Sequence, residues 1–208
     1  MEKILTLSKK GTSRLVEKKS VFMGHAAPVR DEQDALGFID EVRKSMPDAG
    51  HHTFAYRIGK NNEIQRANDG GEPSGTAGRP MLEIIKQENL QDTLVVVTRY
   101  FGGVLLGTGG LIRAYGKAAH EAMLDAVIME KIDGQKIALY LDYHNLGKVQ
   151  NFLEQAHIFV ENILYTDQVQ LSCILVFDRR DEVIQKIRDL CHGEVVVSLG
   201  EREYFPGL

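Results

Sequence analysis

The stretch from Asn68 to Lys117 constrains this chain more than any other. It reads NDGGEPSGTAGRP, then a helical segment, then TLVVVTRYFGGVLLGTGGLIRAYGK. Two glycine-dense loops thus flank one apolar strand. Glycine loses more backbone entropy on ordering than any other residue, so this density in two short loops needs a structural reason. Close approach of the backbone to a partner is one reason; tight packing of loop on helix is another. Four basic side chains stand at the loop edges: Arg79, Arg99, Arg113 and Lys117.

The rest of the chain alternates strands and helices. Leu94–Thr98 is a nearly continuous apolar run, which suits a strand covered on both faces. Upstream, Ser20–Pro28 reads as a strand. Asp31–Ser45 reads as a helix capped by Asp31, with Leu36, Ile39 and Val42 as its apolar face. Thr53–Gly59 alternates like a strand and turns at Asn61-Asn62 into Glu63–Arg66. Ala77–Asn89 is a helix with Pro80 in its first turn, where a missing N–H is harmless. The second loop, Gly102–Gly110, leads into a helix from Leu111 to Ile128, whose small residues (Ala114, Gly116, Ala118, Ala119, Ala122) admit a close neighbour. Asp133-Gly134 reads as a turn. Beyond it come strand Lys136–Tyr143, helix Asn145–Ala156, strands Ile158–Tyr165 and Val169–Phe177, helix Asp181–Leu190 and strand Glu194–Leu199. That β-α-β-β-α-β order is the ferredoxin-like motif. The expected fold is α+β in two domains, 1–132 and 133–208.

Composition narrows the function. Hydrophobic residues at 43% and charged residues at 26% describe an ordinary globular protein. A net charge of −4 weighs against a strong non-specific nucleic-acid binder. The stretch from His51 to Lys117 nevertheless holds 8 basic and 6 acidic residues, so a local basic site fits. Cys173 and Cys191 are isolated, as expected for reduced, buried thiols. With no signal peptide and no membrane-length apolar run, a cytoplasmic location and no membrane partner are expected.

Known nucleotide signatures fail on inspection. Ile112 stands where G-x-G-x-x-G needs its last glycine. Leu111 and Ala118 break the Walker pattern around Gly116-Lys117. Gly71-Glu72-Pro73-Ser74-Gly75 has the wrong spacing for a serine elbow. A weaker anion site survives. Both loops run into helix N-termini, which favour negative charge. Arg113 and Lys117 are four apart on one helix face. With Arg79, Arg99, Ser74, Thr76, Gly109 and Gly110 they form a candidate nucleic-acid or phosphate site. Against this stands a packing reading, in which Arg99 and Arg113 pair with Glu72 or Asp69 and fix the loops. Ser74 and Thr76 read as helix caps rather than nucleophiles. His51 and His52 alternate sides of a strand, so one at most faces a site shared with Asp69 and Glu72. No metal-ligand spacing supports them as ligands, and no metal or cofactor is expected. Tyr100-Phe101 reads either as a base-stacking platform or as a loop anchor.

These residues carry a family resemblance. NDGGEPSGTAGRP, VVTRYFGG, LGTGGLIRAYGKA and the upstream DAGHHTFAYRIG resemble the signature of the Impact family, in its bacterial YigZ-type branch. Gly50 and Gly70 depart from the family pattern, which usually has threonine and a second acidic residue there. The resemblance implies an N-terminal domain like domain four of elongation factor G and a small-subunit ribosomal protein. It implies a C-terminal domain like domain five of elongation factor G. Eukaryotic relatives share only the N-terminal unit and regulate translation under amino-acid stress. No catalytic residue is transferred. The expected function is a non-enzymatic, translation-associated factor that binds RNA or the ribosome through the loop-and-arginine surface. The alternatives are a protein-interaction regulator using the same surface, and an enzyme using His51 or His52 with Asp69, Glu72 and Arg99. The sequence gives no oligomeric state.

Overall fold

The structure is a computed structural model describing residues 3–59 and 61–207. It divides into two compact units. Ile4–Glu130 forms one; Lys131 onward, with Lys3, forms the other.

In the N-terminal unit, β2 (Gly11–Glu17), β3 (Ser20–Pro28), β4 (His51–Ile58), β5 (Ile64–Asn68) and β6 (Thr93–Tyr100) make one sheet. Its order is β2-β3-β6-β4-β5, and every neighbouring pair is antiparallel. Central β6 explains its own sequence. Val95 and Val97 enter a core with α2 (Gly78–Gln87) and α3 (Gly107–Asp125), while Leu94 and Val96 enter a second core with α1 (Glu32–Ser45). A strand sandwiched between helices has no polar face, hence the unbroken apolar run. Each such buried side chain stabilises the unit by roughly 1.5–3 kcal/mol.

Helix α1 starts as expected: Asp31 accepts a hydrogen bond from the Asp34 amide at 2.8 Å. Its buried face is Ala35, Ile39 and Val42, whereas Leu36 is 53% exposed and does not join the core. The small residues of α3 let the sheet come close; the Ser13 hydroxyl donates to the Ala118 carbonyl at 2.7 Å. Two strands escaped the sequence reading, β2 and β1 (Lys3–Leu7). Leu7, on β1, is fully buried in the core shared with α2 and α3.

The C-terminal unit follows the order β7 (Ile128–Leu141), α4 (Tyr143–Gln155), β8 (Val160–Tyr165), β9 (Val169–Val176), α5 (Arg180–Leu190) and β10 (Val195–Pro206). Its strands lie β8-β9-β7-β10, all antiparallel. This is the ferredoxin-like arrangement, with α4 and α5 packed over a core of Leu139, Leu141, Val149, Leu153, Leu171 and Ile187. Asp133-Gly134 is not a turn. Both residues lie in β7, opposite Tyr204 and Glu203 of β10, and the Asp133 carboxylate is gripped by Arg202 through both oxygens. A long antiparallel ladder and a forked ion pair override the local turn preference of that dipeptide. Cys173 and Cys191 are buried and free, and burial pushes the Cys173 thiol up to about 12. Among the described residues, no helix is long and apolar enough to cross a membrane.

Candidate functional site

The first glycine loop is organised by Asp69. Its carboxylate accepts from the amides of Gly75 at 2.8 Å, Ala77 at 3.0 Å and Gly78 at 2.9 Å. Asp69 therefore caps α2 from outside the helix, supplying the acceptor that the first-turn amides lack. The expectation that Ser74 or Thr76 caps this helix is corrected: the Thr76 hydroxyl donates back to the Pro73 carbonyl at 2.6 Å, and Ser74 is exposed. Burial pushes the Asp69 carboxyl upward, but the three amides outweigh it and hold the group below the usual carboxylate range. Gly70 explains one departure from the family pattern. It sits at φ +55°, and a Cβ there would lie 2.2 Å from the His52 carbonyl oxygen. No acidic side chain fits this loop as it is built.

Glu72 settles the role of Arg99. Its Oε1 accepts from the Arg99 guanidinium at 2.7 Å and from the Tyr115 hydroxyl at 2.7 Å. Arg99 also donates to the Ser20 hydroxyl at 3.2 Å and lies about 5.5 Å from the ring centroids of Phe22 and Phe101. Arg99 is 5% exposed, and Glu72 and Tyr115 are also buried. Burial, then the Glu72 carboxylate, pushes the Tyr115 hydroxyl far above its ordinary value. The loop-fixing reading holds for Arg99, which is withdrawn from the phosphate site. It fails for Arg113, which pairs with neither Glu72 nor Asp69. Ser20 and Tyr115 were not singled out from the sequence; only the alternation of β3 and the α3 periodicity placed them inward.

The two histidines part company, as strand alternation requires. His51 Nδ1 lies 3.0 Å from the Gly70 carbonyl, which can only accept, so this nitrogen carries the proton and donates. Its Nε2 lies 3.9 Å from Glu72 Oε1. His52 Nδ1 instead lies 3.1 Å from the Thr98 hydroxyl, and burial lowers its pKa, helped by Arg43.

The second loop is shorter than expected, because α3 begins at Gly107 rather than Leu111. Gly109 and Gly110 therefore lie in the first helical turn, which has no side-chain cap. Gly102 packs so tightly on the β2–β3 turn that a Cβ would lie 2.0 Å from the Lys19 carbonyl carbon. The two loops meet. His51, Gly71, Glu72 and Pro73 from one side, and Phe101, Leu105, Leu106 and Thr108 from the other, line a cleft of about 440 Å³. Phe101 is 55% exposed at its mouth, while Tyr100 is half-buried.

The other three basic residues stand elsewhere, together. Arg79 on α2 and Arg113 and Lys117 on α3 line a groove of about 700 Å³ between these helices, over Pro80, Ile84, Ile112 and Gly116. All three cations are exposed. Among the described residues, Lys117 has only a loose partner, Glu121 at 3.9 Å. Among the described residues, no group of three or more His, Cys, Asp or Glu is placed to hold a metal ion.

Fold and site define a two-domain α+β protein whose N-terminal sheet holds two interlocked glycine loops beside a cation-rimmed helix groove. Residues 18–123 match the Impact N-terminal domain, and residues 139–194 match a domain of unknown function, DUF1949. The chain belongs to the Impact family. It is 39% identical to IMPACT family member YvyE of Bacillus subtilis over 199 residues, 96% of this chain and 92% of that protein. It is 34% identical to IMPACT family member YigZ of Escherichia coli over 180 residues, 86% and 88% of the two chains. Protein IMPACT-A of Xenopus tropicalis aligns over 98 residues at 34% identity, 45% of this chain and 30% of that protein. A crystal structure of a hypothetical protein superposes with a TM-score of 0.64 at 32% identity, covering 98% of this chain and all of that one.

Proposed function

We propose that this protein is a non-enzymatic, translation-associated factor that binds RNA, free or in the ribosome, through the groove between α2 and α3. One observation carries the reading: Arg79 of α2 and, more than thirty residues on, Arg113 and Lys117 of α3 stand exposed along one groove. Three cations at one rim suit a phosphate backbone, whose neutralisation releases counterions and drives association. The link to translation rests on the resemblance of the N-terminal domain to translation-factor domains, an analogy of fold. A second reading has its own support. The groove floor is aliphatic, with Pro80, Ile84 and Ile112 and no aromatic ring for base stacking. That floor suits an acidic protein segment with apolar residues at helical spacing.

The test is RNA affinity against salt for the wild type, Arg113→Ala and Lys117→Ala, with melts to confirm folding. Each phosphate left without its cation should lower the salt slope by roughly one unit and weaken binding to all sequences alike. Equal RNA binding by all three folded proteins, or none above background, removes the RNA reading and leaves the protein-docking one.

A further inference from the structure

Edge strands β2, β5 and β8 are each protected against pairing with another chain. In β2 the Thr12 amide donates outward to the Asp125 carboxylate at 2.8 Å, and Arg14 and Glu17 are exposed. Strand β5 is five residues long and carries exposed Gln65 and Arg66. It ends against the start of α2, where a Cβ on Gly78 would lie 2.6 Å from the Asn68 amide nitrogen. Strand β8 is broken by a bulge between Val160 and Asn162, with Glu161 at the break. Short length, charges and bulges are the usual protections of a sheet edge. The first half of β10 has none of them. Val195–Leu199 runs in unbroken register against Leu141–Ile137, the bulge comes only after Leu199, and the stretch 195–200 holds no charge. Among the described residues β10 pairs with β7 alone. A strand bonded on one side only presents a row of unpaired N–H and C=O groups on the other.

We propose that this edge joins a second copy of the chain, β10 against β10, antiparallel about a two-fold axis at Val197, so that the sheet continues from one copy into the next. Self-complementarity argues for a copy rather than another partner. The axis sets Val195 of each copy opposite Leu199 of the other, and Val196 opposite Ser198. Val195, Val197 and Leu199 stand against Leu141, Leu139 and Ile137, so they share the helix-covered side of the sheet, while Val196 and Ser198 share the other. Opposed residues face the same side, so this register meets apolar with apolar on the helix side and covers Leu199, which is 53% exposed in one copy. Charge agrees with it. Glu194 falls opposite Gly200 and Glu201 opposite Gly193, so no carboxylate meets a carboxylate. An axis at Ser198 would instead run both strands through the bulge after Leu199. Pairing of one patch with itself is the ordinary geometry of a homodimer. The ladder is short and the interface small, so the dimer is concentration-dependent rather than obligate.

The experiment is sedimentation equilibrium of the full chain between about 5 and 500 µM, the range in which a weak dimer assembles. The mass should rise from 23.3 kDa towards twice that value. Val196→Lys combined with Ser198→Lys sets like charges opposite each other twice across the axis and should weaken the dimer by roughly tenfold or more. Val196→Lys combined with Ser198→Glu sets opposite charges there and should return association to wild-type strength. Both positions are exposed, Val196 at 67%, so neither combination disturbs the core, and a circular-dichroism melt verifies folding. Hydrogen exchange on the wild type reads the same edge without any substitution: amides of residues 195–199 should slow as concentration rises. A monomer at every concentration overturns the proposal and leaves the edge to a strand of another protein. Exchange at 195–199 that ignores concentration, a dimer untouched by the two lysines, or a lysine–glutamate variant as dissociated as the double lysine one overturns it equally.

Discussion

Replacing Asp69 by alanine should be among the most damaging single changes in the first glycine loop. The side chain accepts from three amides, those of Gly75, Ala77 and Gly78, at 2.8 to 3.0 Å. Removing one N-cap bond costs about 0.5–2 kcal/mol, and bonds to a charged acceptor are the stronger kind. Water can recover part of the loss at the half-buried Gly75, so the total should be about 3 kcal/mol rather than the full sum. For a unit of this size that lowers the melting temperature by roughly 10 °C. Asp69→Asn keeps one carbonyl oxygen, enough for the Ala77 and Gly78 amides, and should fall midway. The pH dependence has a definite sign. The folded carboxyl lies below its ordinary value of 3.8, so its contribution is full above that value and is lost as pH falls through the folded pKa. The difference between wild type and Asp69→Ala should therefore be constant near pH 7 and shrink below about pH 4. The assay is a circular-dichroism melt, with hydrogen exchange on the peptide covering α2 to locate the loss. A penalty under about 0.5 kcal/mol, or Asp69→Asn as unstable as Asp69→Ala, would refute the capping argument.

Arg99→Ala should destabilise by about 3–5 kcal/mol because it strands the buried Glu72 carboxylate, while Arg113→Ala stays within about 0.5 kcal/mol; urea unfolding measures both. Gly70→Asp, which restores the usual family residue type, should cost about 2 kcal/mol or more here, given φ +55° and the His52 carbonyl in its path; a variant as stable as the wild type would show that the loop relaxes freely. Cys173 and Cys191 should resist a thiol-reactive dye at pH 8 in the native protein and both react once it is unfolded, since burial raises both thiols.

Burial on two faces made β6 legible, because a sandwiched strand writes an unbroken apolar run into the sequence. The edge strand β2 has no such signature: GTSRLVE buries little beyond its first residue and alternates only weakly. Asp133-Gly134 misled because turn preference is local, whereas β7 is held by a partner about seventy residues away. At the site, opposite charges on Arg99 and Glu72 already allowed their pairing. The Asp69 cap did not show, since its acceptor lies eight residues before the Ala77 amide and outside the helix. The grouping of Arg79 with Arg113 and Lys117 depends on α2 packing against α3, a tertiary fact that no local pattern encodes.

The tight seat of Gly102 has an evolutionary consequence. Any side chain there collides with the Lys19 backbone, so selection for a folded protein alone preserves this glycine, whatever the molecule binds. That letter of the glycine signature is thus a record of assembly. Arg79, Arg113 and Lys117 point into water and anchor no core. Lineages can exchange them without risk to the fold, so changes of partner within the family should be written in those three positions, while Gly102 stands still.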